Sequence, residues 1–222
     1  MIEVAGVLLD LDGVIVDSAR DGKMRWERFR ERHGIEASEW AKLAEGRRTR
    51  EVVELFVSKE IIEGELEWFD SIDTGEGAVA EMNGSKALLD SLTGVRWGIV
   101  TSCPGDLARE RLGRLDIAIP RVLVGAEDVE LGKPSPEGYL AGLKELGLDP
   151  TEAVIFEDAP AGVSAAKAAG VTVVGLRTSF SSLPGVRYTI EDLTKVRVVD
   201  KFEGGVRLEL TVVGVGEARS AD

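Results

Sequence analysis

Leu8-Leu9-Asp10-Leu11-Asp12-Gly13-Val14-Ile15-Val16-Asp17-Ser18 is the stretch whose reading decides the fold. It begins in an apolar run, Val4 to Leu9, of the length of one strand. A continuous hydrophobic run of that length marks a strand buried on both faces, as in a parallel sheet. The run ends in two carboxylates separated by one residue, followed by a glycine that permits a sharp turn. Ligands of open α/β sheets bind beyond the carboxyl ends of such strands. Asp10 and Asp12 are therefore expected at the mouth of a cleft, side by side if the extended period of two persists. Two such charges raise each other's pKa unless a cation lies between them.

Downstream of Ser18 the pattern turns helical. Trp26, Phe29 and His33 recur at helical spacing, with Gly34 as a C-cap and His33 as a helix-end residue. Arg25, Arg28, Arg30 and Arg32 interleave with Glu27 and Glu31, the pattern of a solvated face with helix ion pairs. Trp40, Leu43 and Ala44 mark a second helix. Gly46-Arg47-Arg48-Thr49 then opens a third, an edge suited to facing an anion. Ile61 to Ile72 add an apolar-faced helix. Ala19 to Met82 thus reads as helical throughout, with no strand, and as an insertion after the first strand of the core. From Lys86 the chain alternates helix and strand: strands at 95–100, 121–124, 153–156 and 171–176, and helices at 106–115, 137–146 and 160–169. Such alternation implies a parallel sheet with right-handed crossovers. Segments 196–199 and 207–213 suggest a hairpin about Gly204-Gly205. The expected architecture is an α/β, Rossmann-like parallel sheet core, residues 1–18 and 83–222, with an inserted all-helical cap at 19–82.

Each strand end carries polar groups: Asp10 and Asp12, then Thr101 and Ser102, then Lys133, then Glu157 and Asp158. A parallel sheet brings these ends to one edge. Four carboxylates there need a cation, and hard oxygen donors in this number suit Mg²⁺. Hydroxyls and a lysine supply the donors that a phosphoryl group in transfer requires.

With these motifs the chain resembles the haloacid dehalogenase superfamily of Mg²⁺-dependent phosphohydrolases. The matching segments are Asp10-Leu11-Asp12-Gly13-Val14, Val100-Thr101-Ser102, Lys133-Pro134-Ser135-Pro136 and Phe156-Glu157-Asp158-Ala159-Pro160-Ala161-Gly162. The resemblance implies Asp10 as nucleophile, Asp12 as acid and base, and Lys133 as the neutralising cation. It implies Mg²⁺ on Asp10, the Asp12 carbonyl and Asp158, with Glu157 a ligand or its supporting neighbour. Thr101 and Ser102 would bind phosphate, and Arg47, Arg48 and Thr49 of the cap would face the substrate. The cap loop and the Glu157-Asp158 motif resemble fungal glycerol-3-phosphate and 2-deoxyglucose-6-phosphate phosphatases. The expected reaction is hydrolysis of a small sugar or polyol phosphate through an aspartyl-phosphate.

Alternatives within the superfamily are a phosphoglycolate phosphatase or a β-phosphoglucomutase, which shares the Asp-Leu-Asp-Gly-Val-Ile opening. The mutase family places a histidine in the cap shortly after that motif, where this chain has Arg20, Asp21, Gly22 and Lys23. Outside the enzymes, a phosphoacceptor signalling domain or a binding scaffold would use similar groups. The signalling domain has another motif order and no cap, and a scaffold has no use for every reactive group.

Of 222 residues, 40 are acidic and 27 basic, and the net charge of −13 opposes nucleic-acid and anionic-membrane partners. No apolar run is long enough to span a bilayer. One cysteine, Cys103, excludes an intrachain disulfide. With no signal-peptide pattern at the start, a cytoplasmic monomer or homodimer is expected.

Overall fold

The structure, a computed structural model, describes residues 1–36, 48–72, 74–75, 78–180 and 182–215. Its centre is a seven-stranded sheet. In chain order these strands are β2 (Gly6–Leu9), β5 (Arg96–Val100), β6 (Val122–Val124), β7 (Ala153–Glu157), β8 (Thr172–Leu176), β9 (Tyr188–Ile190) and β12 (Gly214–Val215). They lie in the order β12-β9-β8-β7-β2-β5-β6. All pairs are parallel except β12 with β9. The founding strand β2 is central, with Leu9 in register with both Ile99 and Phe156.

The alternation of strand side chains separates two cores. Val7, Leu9, Ile99, Phe156 and Val174 pack on one face, against Leu88, Leu89 and Leu92 at α4 (Ser85–Ser91) and Ala108 and Leu112 of α5 (Gly105–Arg114). Leu8, Val100, Ile155 and Val173 pack on the other, against α6 (Glu137–Leu146) and α7 (Pro160–Ala168).

The run Val4 to Leu9 is not one strand. Ile2–Val4 forms β1, which pairs antiparallel with β11 (Gly205–Leu210), itself paired with β10 (Val196–Phe202). The break falls at Ala5, whose amide donates to Glu152 O at 2.7 Å. The chain then passes so close to its neighbour that a Cβ on Gly6 would lie 2.8 Å from Arg96 O. The hairpin about Gly204-Gly205 is present, whereas β9 carried no legible signal.

The insertion contains α1 (Ala19–His33), α2 (Thr49–Val53) and α3 (Ile62–Asp70). Gly34 closes α1 with φ 63°. The helix expected around Trp40, Leu43 and Ala44 lies outside the described residues. Phe29, Ile35, Val53, Ile62, Phe69 and Ile72 form a third core, separate from the other two. Each fully buried side chain of this kind contributes about 1.5–3 kcal/mol. Trp26 packs edge-on against Phe29 at 5.6 Å between ring centroids. His33 pairs with Glu65 at 2.9 Å, a helix-end contact as expected.

The expectation of no strand between 19 and 82 fails at one place. β4 (Ala80–Glu81) pairs antiparallel with β3 (Val16–Asp17), because the chain leaves and re-enters the core side by side. No described helix is long and apolar enough to cross a membrane.

Candidate active site

Asp10 follows β2 directly, and its amide donates to Phe156 O at 3.0 Å. Parallel register therefore sets it beside the ends of β5 and β7, next to Thr101 and to Glu157-Asp158. The chain then leaves the strand and turns, with Gly13 at φ 85°. A Cβ there would collide with the Asp158 carboxylate. Gly162 is required for a similar reason, since the Glu157 carboxylate occupies the space a side chain would need.

One cleft of about 290 Å³ is lined by Asp10, Asp12, Thr101, Ser102, Lys133, Glu157 and Asp158 from the core, and by Arg25, Trp26, Thr49 and Phe69 from the insertion. Every core residue expected at the site is thus brought to one place. A second groove of about 440 Å³ shares Thr49 and Ser102 with it and runs between the insertion and the core.

Lys133 is the hub. Its Nζ donates to Asp10 Oδ1 at 2.5 Å, Glu157 Oε1 at 2.6 Å and Val100 O at 3.2 Å. Burial works against its charge, but Asp10 and Glu157 outweigh it and hold the ammonium well above its ordinary range. Glu157 also accepts from Tyr139 Oη at 2.7 Å and from the amides of Asp158 and Ala159 at 3.0 and 3.1 Å.

Carboxylate oxygens of Asp10, Glu157 and Asp158 lie within 4.8 Å of one another. Burial, and after it the crowding by Glu157, raises Asp158 to about 7. Asp10 is likewise raised well above its ordinary range by burial, despite the opposing pull of Lys133. One ammonium does not compensate three buried carboxylates. Hard oxygen donors with uncompensated negative charge fit a divalent cation such as Mg²⁺. Since Glu157 already accepts four hydrogen bonds, Asp10 and Asp158 have the free lone pairs.

Arg48 is not at this cleft. Its guanidinium donates to Glu51 and to the carbonyls of Ala126, Val129 and Glu130, at 2.9–3.4 Å. It packs over Gly132 and lines the adjoining groove, so it ties α2 to the loop before Lys133. An arginine at a helix start finds the carbonyl ends of a loop as readily as an anion. Arg47 lies outside the described residues. Of the three cap residues expected to face the substrate, Thr49 lines the cleft.

Three contributors went unread in the sequence. Tyr139 sits on α6 at a spacing that reads as core. Arg111 is one of several arginines of α5, and Asp21 falls in a charged helical stretch. Arg111 donates to Asp12 Oδ1 at 2.7 Å and to Asp21 Oδ2 at 2.5 Å. The only available signal was that α5 starts at the Thr101-Ser102 strand end. Cys103 also lines the cleft, where burial and Asp12 push its thiol up to about 12, leaving it neutral.

The model of the haloacid dehalogenase-like hydrolases matches residues 7–176. The chain belongs to this family. Over 212 residues it is 34% identical to hexitol phosphatase A of Escherichia coli K12, covering 92% of this chain and 98% of that one. It is 30% identical to 2-deoxyglucose-6-phosphate phosphatase 1 of Saccharomyces cerevisiae, over 91% of this chain and 94% of the relative. A hydrolase from Pseudomonas syringae has the same fold, with a TM-score of 0.74 at 24% identity over 85% of this chain and 94% of the other. This hydrolase is thus an enzyme acting on phosphoric monoesters.

Proposed function

We propose that this hydrolase releases phosphate from a small phosphorylated sugar or polyol, through an Asp10 phosphoenzyme. The observation that carries this is the convergence of Asp10, Asp12 and Lys133 with Ser102 in one cleft beneath the insertion. Full-length similarity to hexitol and deoxyhexose phosphatases supports the substrate class. Residues 19–82 act as the cap over a core of 1–18 and 83–222, with the substrate entering between them.

In the first half-reaction an Asp10 carboxylate oxygen attacks phosphorus, and the bond to the leaving oxygen breaks with its electron pair. That oxygen takes a proton from the Asp12 carboxyl and departs as the alcohol. In the second, Asp12 takes a proton from water as its oxygen attacks phosphorus. The bond to Asp10 breaks and the carboxylate is restored. Lys133 holds the Asp10 carboxylate and offsets charge on the phosphoryl oxygens, and Thr101 and Ser102 supply hydroxyl donors to them. Asp10, Asp158 and the Asp12 carbonyl, with Glu157 behind them, would hold Mg²⁺, whose charge would let a phosphate dianion approach carboxylates. Thr49 faces the alcohol. The test is phosphate release from a panel of hexose, hexitol, glycerol and glycolate phosphates, with and without Mg²⁺. Preference for the hexitol or hexose esters is expected, and glycolate phosphate as the sole substrate would overturn the substrate class.

A further inference from the structure

Arg111 is a buried arginine, 7% exposed, at the floor of the cleft. It projects from α5 of the core, yet it meets two carboxylates of different origin. Asp12 belongs to the turn after β2, and Asp21 to the first turn of α1 in the cap. Asp21 is 2% exposed and is fully engaged. Its oxygens also accept from Arg25 Nε at 3.1 Å and Thr74 Oγ1 at 2.6 Å. Arg25 in turn donates to the carbonyls of Phe69 and Asp70 at the end of α3, at 2.8 and 3.0 Å. The Asp21 amide donates to Ala78 O at 3.2 Å, across the pair of chain crossings. A continuous hydrogen-bonded path therefore runs from Asp12 through Arg111 and Asp21 to both ends of the cap.

We propose that Arg111 and Asp21 are positioning residues for Asp12, so that the docked cap, through this path, orients the carboxyl that protonates the leaving alcohol. The geometry explains why an arginine is used. Its planar fork holds the two carboxylates on separate nitrogens in a fixed relative orientation. Binding Oδ1 of Asp12 fixes the rotamer and leaves Oδ2 to face the leaving oxygen. A pair held only for stability would need no place in the cleft; hydrophobic residues fill such a site at similar or better stability.

The inference rests on Asp12 being the acid, and the test separates the two. The kcat/KM ratio covers only steps up to departure of the alcohol. An aryl alcohol leaves without a proton, whereas a hexitol alkoxide needs one. Asp12→Asn, Arg111→Gln, Asp21→Asn and the charge-free pair Arg111→Met with Asp21→Asn are compared with wild type on sorbitol 6-phosphate and p-nitrophenyl phosphate. Circular dichroism and thermal melting report the fold, and the paired variant keeps the net charge of the cluster unchanged, with Arg25 still bonded to the carbonyls of Phe69 and Asp70.

The expected result for Arg111→Gln is a loss of kcat/KM of about 10- to 100-fold on sorbitol 6-phosphate, a part of the roughly 10²–10⁴-fold that full loss of acid catalysis costs. The loss on p-nitrophenyl phosphate should be at least about fivefold smaller, with Asp21→Asn and the paired variant showing the same asymmetry. Equal losses on both esters would assign Arg111 to phosphate binding or to structure and overturn the proposal, as would no loss. Asymmetry in Asp12→Asn without asymmetry in the Arg111 variants would overturn the positioning role alone. Wild-type turnover of sorbitol 6-phosphate by Asp12→Asn would overturn the mechanism beneath it, and refusal of that ester by the wild type would overturn the hexitol part of the substrate class on which the comparison rests.

Discussion

Lys133 concentrates the electrostatics of the site in one side chain. Among the described residues it is the ammonium that pairs with Asp10 and Glu157, beside Asp158. Removing one partner of a buried pair leaves the other charge uncompensated, typically at about 3–5 kcal/mol. Lys133→Met should therefore lower the melting temperature markedly in chelator. Added Mg²⁺ should restore part of that stability, since a divalent cation then supplies the missing charge. Differential scanning calorimetry with and without Mg²⁺ measures both effects. Unchanged stability in chelator would contradict the assigned role. The candidate site residues were the most legible part of the sequence, because Asp10, Thr101 and Glu157 end apolar runs and Lys133 opens a Pro-Ser-Pro break. Tyr139 and Arg111 were not, because each lies within a helix, and only tertiary packing brings Tyr139 to Glu157 and Arg111 to Asp12.

At the scale of elements, two features join cap to core, and they differ in kind. The Asp12–Arg111–Asp21 path lies at the cleft, whereas Arg48, absent from its lining, joins α2 to the 126–130 loop. Charged hydrogen bonds of this kind contribute about 1.5–3 kcal/mol when desolvated, and less for one at a partly exposed rim. Arg48→Ala should lower kcat/KM by a similar factor for sorbitol 6-phosphate and p-nitrophenyl phosphate, because it weakens cap docking for both. A loss confined to sorbitol 6-phosphate would return Arg48 to direct substrate contact. The strand–helix alternation from residue 85 onward was legible, since each apolar run is bounded by Gly, Pro or a charged pair. The division of Val4–Leu9 into two strands was not. Its cause is the pairing of Ile2 with Leu208 from the far end of the chain, which no local pattern records.

Across the whole molecule, buried charges also join cap to core, and Asp21, 2% exposed, is one of them. Burial alone would raise its pKa. Thr74 and Arg111, with Arg25, overcome this and hold it below the ordinary value of 3.8. A depressed carboxylate stabilises the fold above its unfolded pKa and loses that contribution as pH falls through its folded value. The stability difference between wild type and Asp21→Asn should thus be full at neutral pH and shrink below about pH 4. Urea unfolding across that range measures it; a difference growing as pH falls would contradict the sign.

In the proposed reaction, phosphate passes through Asp10. The most direct test is Mg²⁺-dependent phosphate release from sorbitol 6-phosphate by wild type and by Asp10→Asn, each shown folded by circular dichroism. Turnover is expected from the wild type with Mg²⁺, none in EDTA, and none from Asp10→Asn under either condition. Near-wild-type phosphate release by folded Asp10→Asn would contradict passage through Asp10.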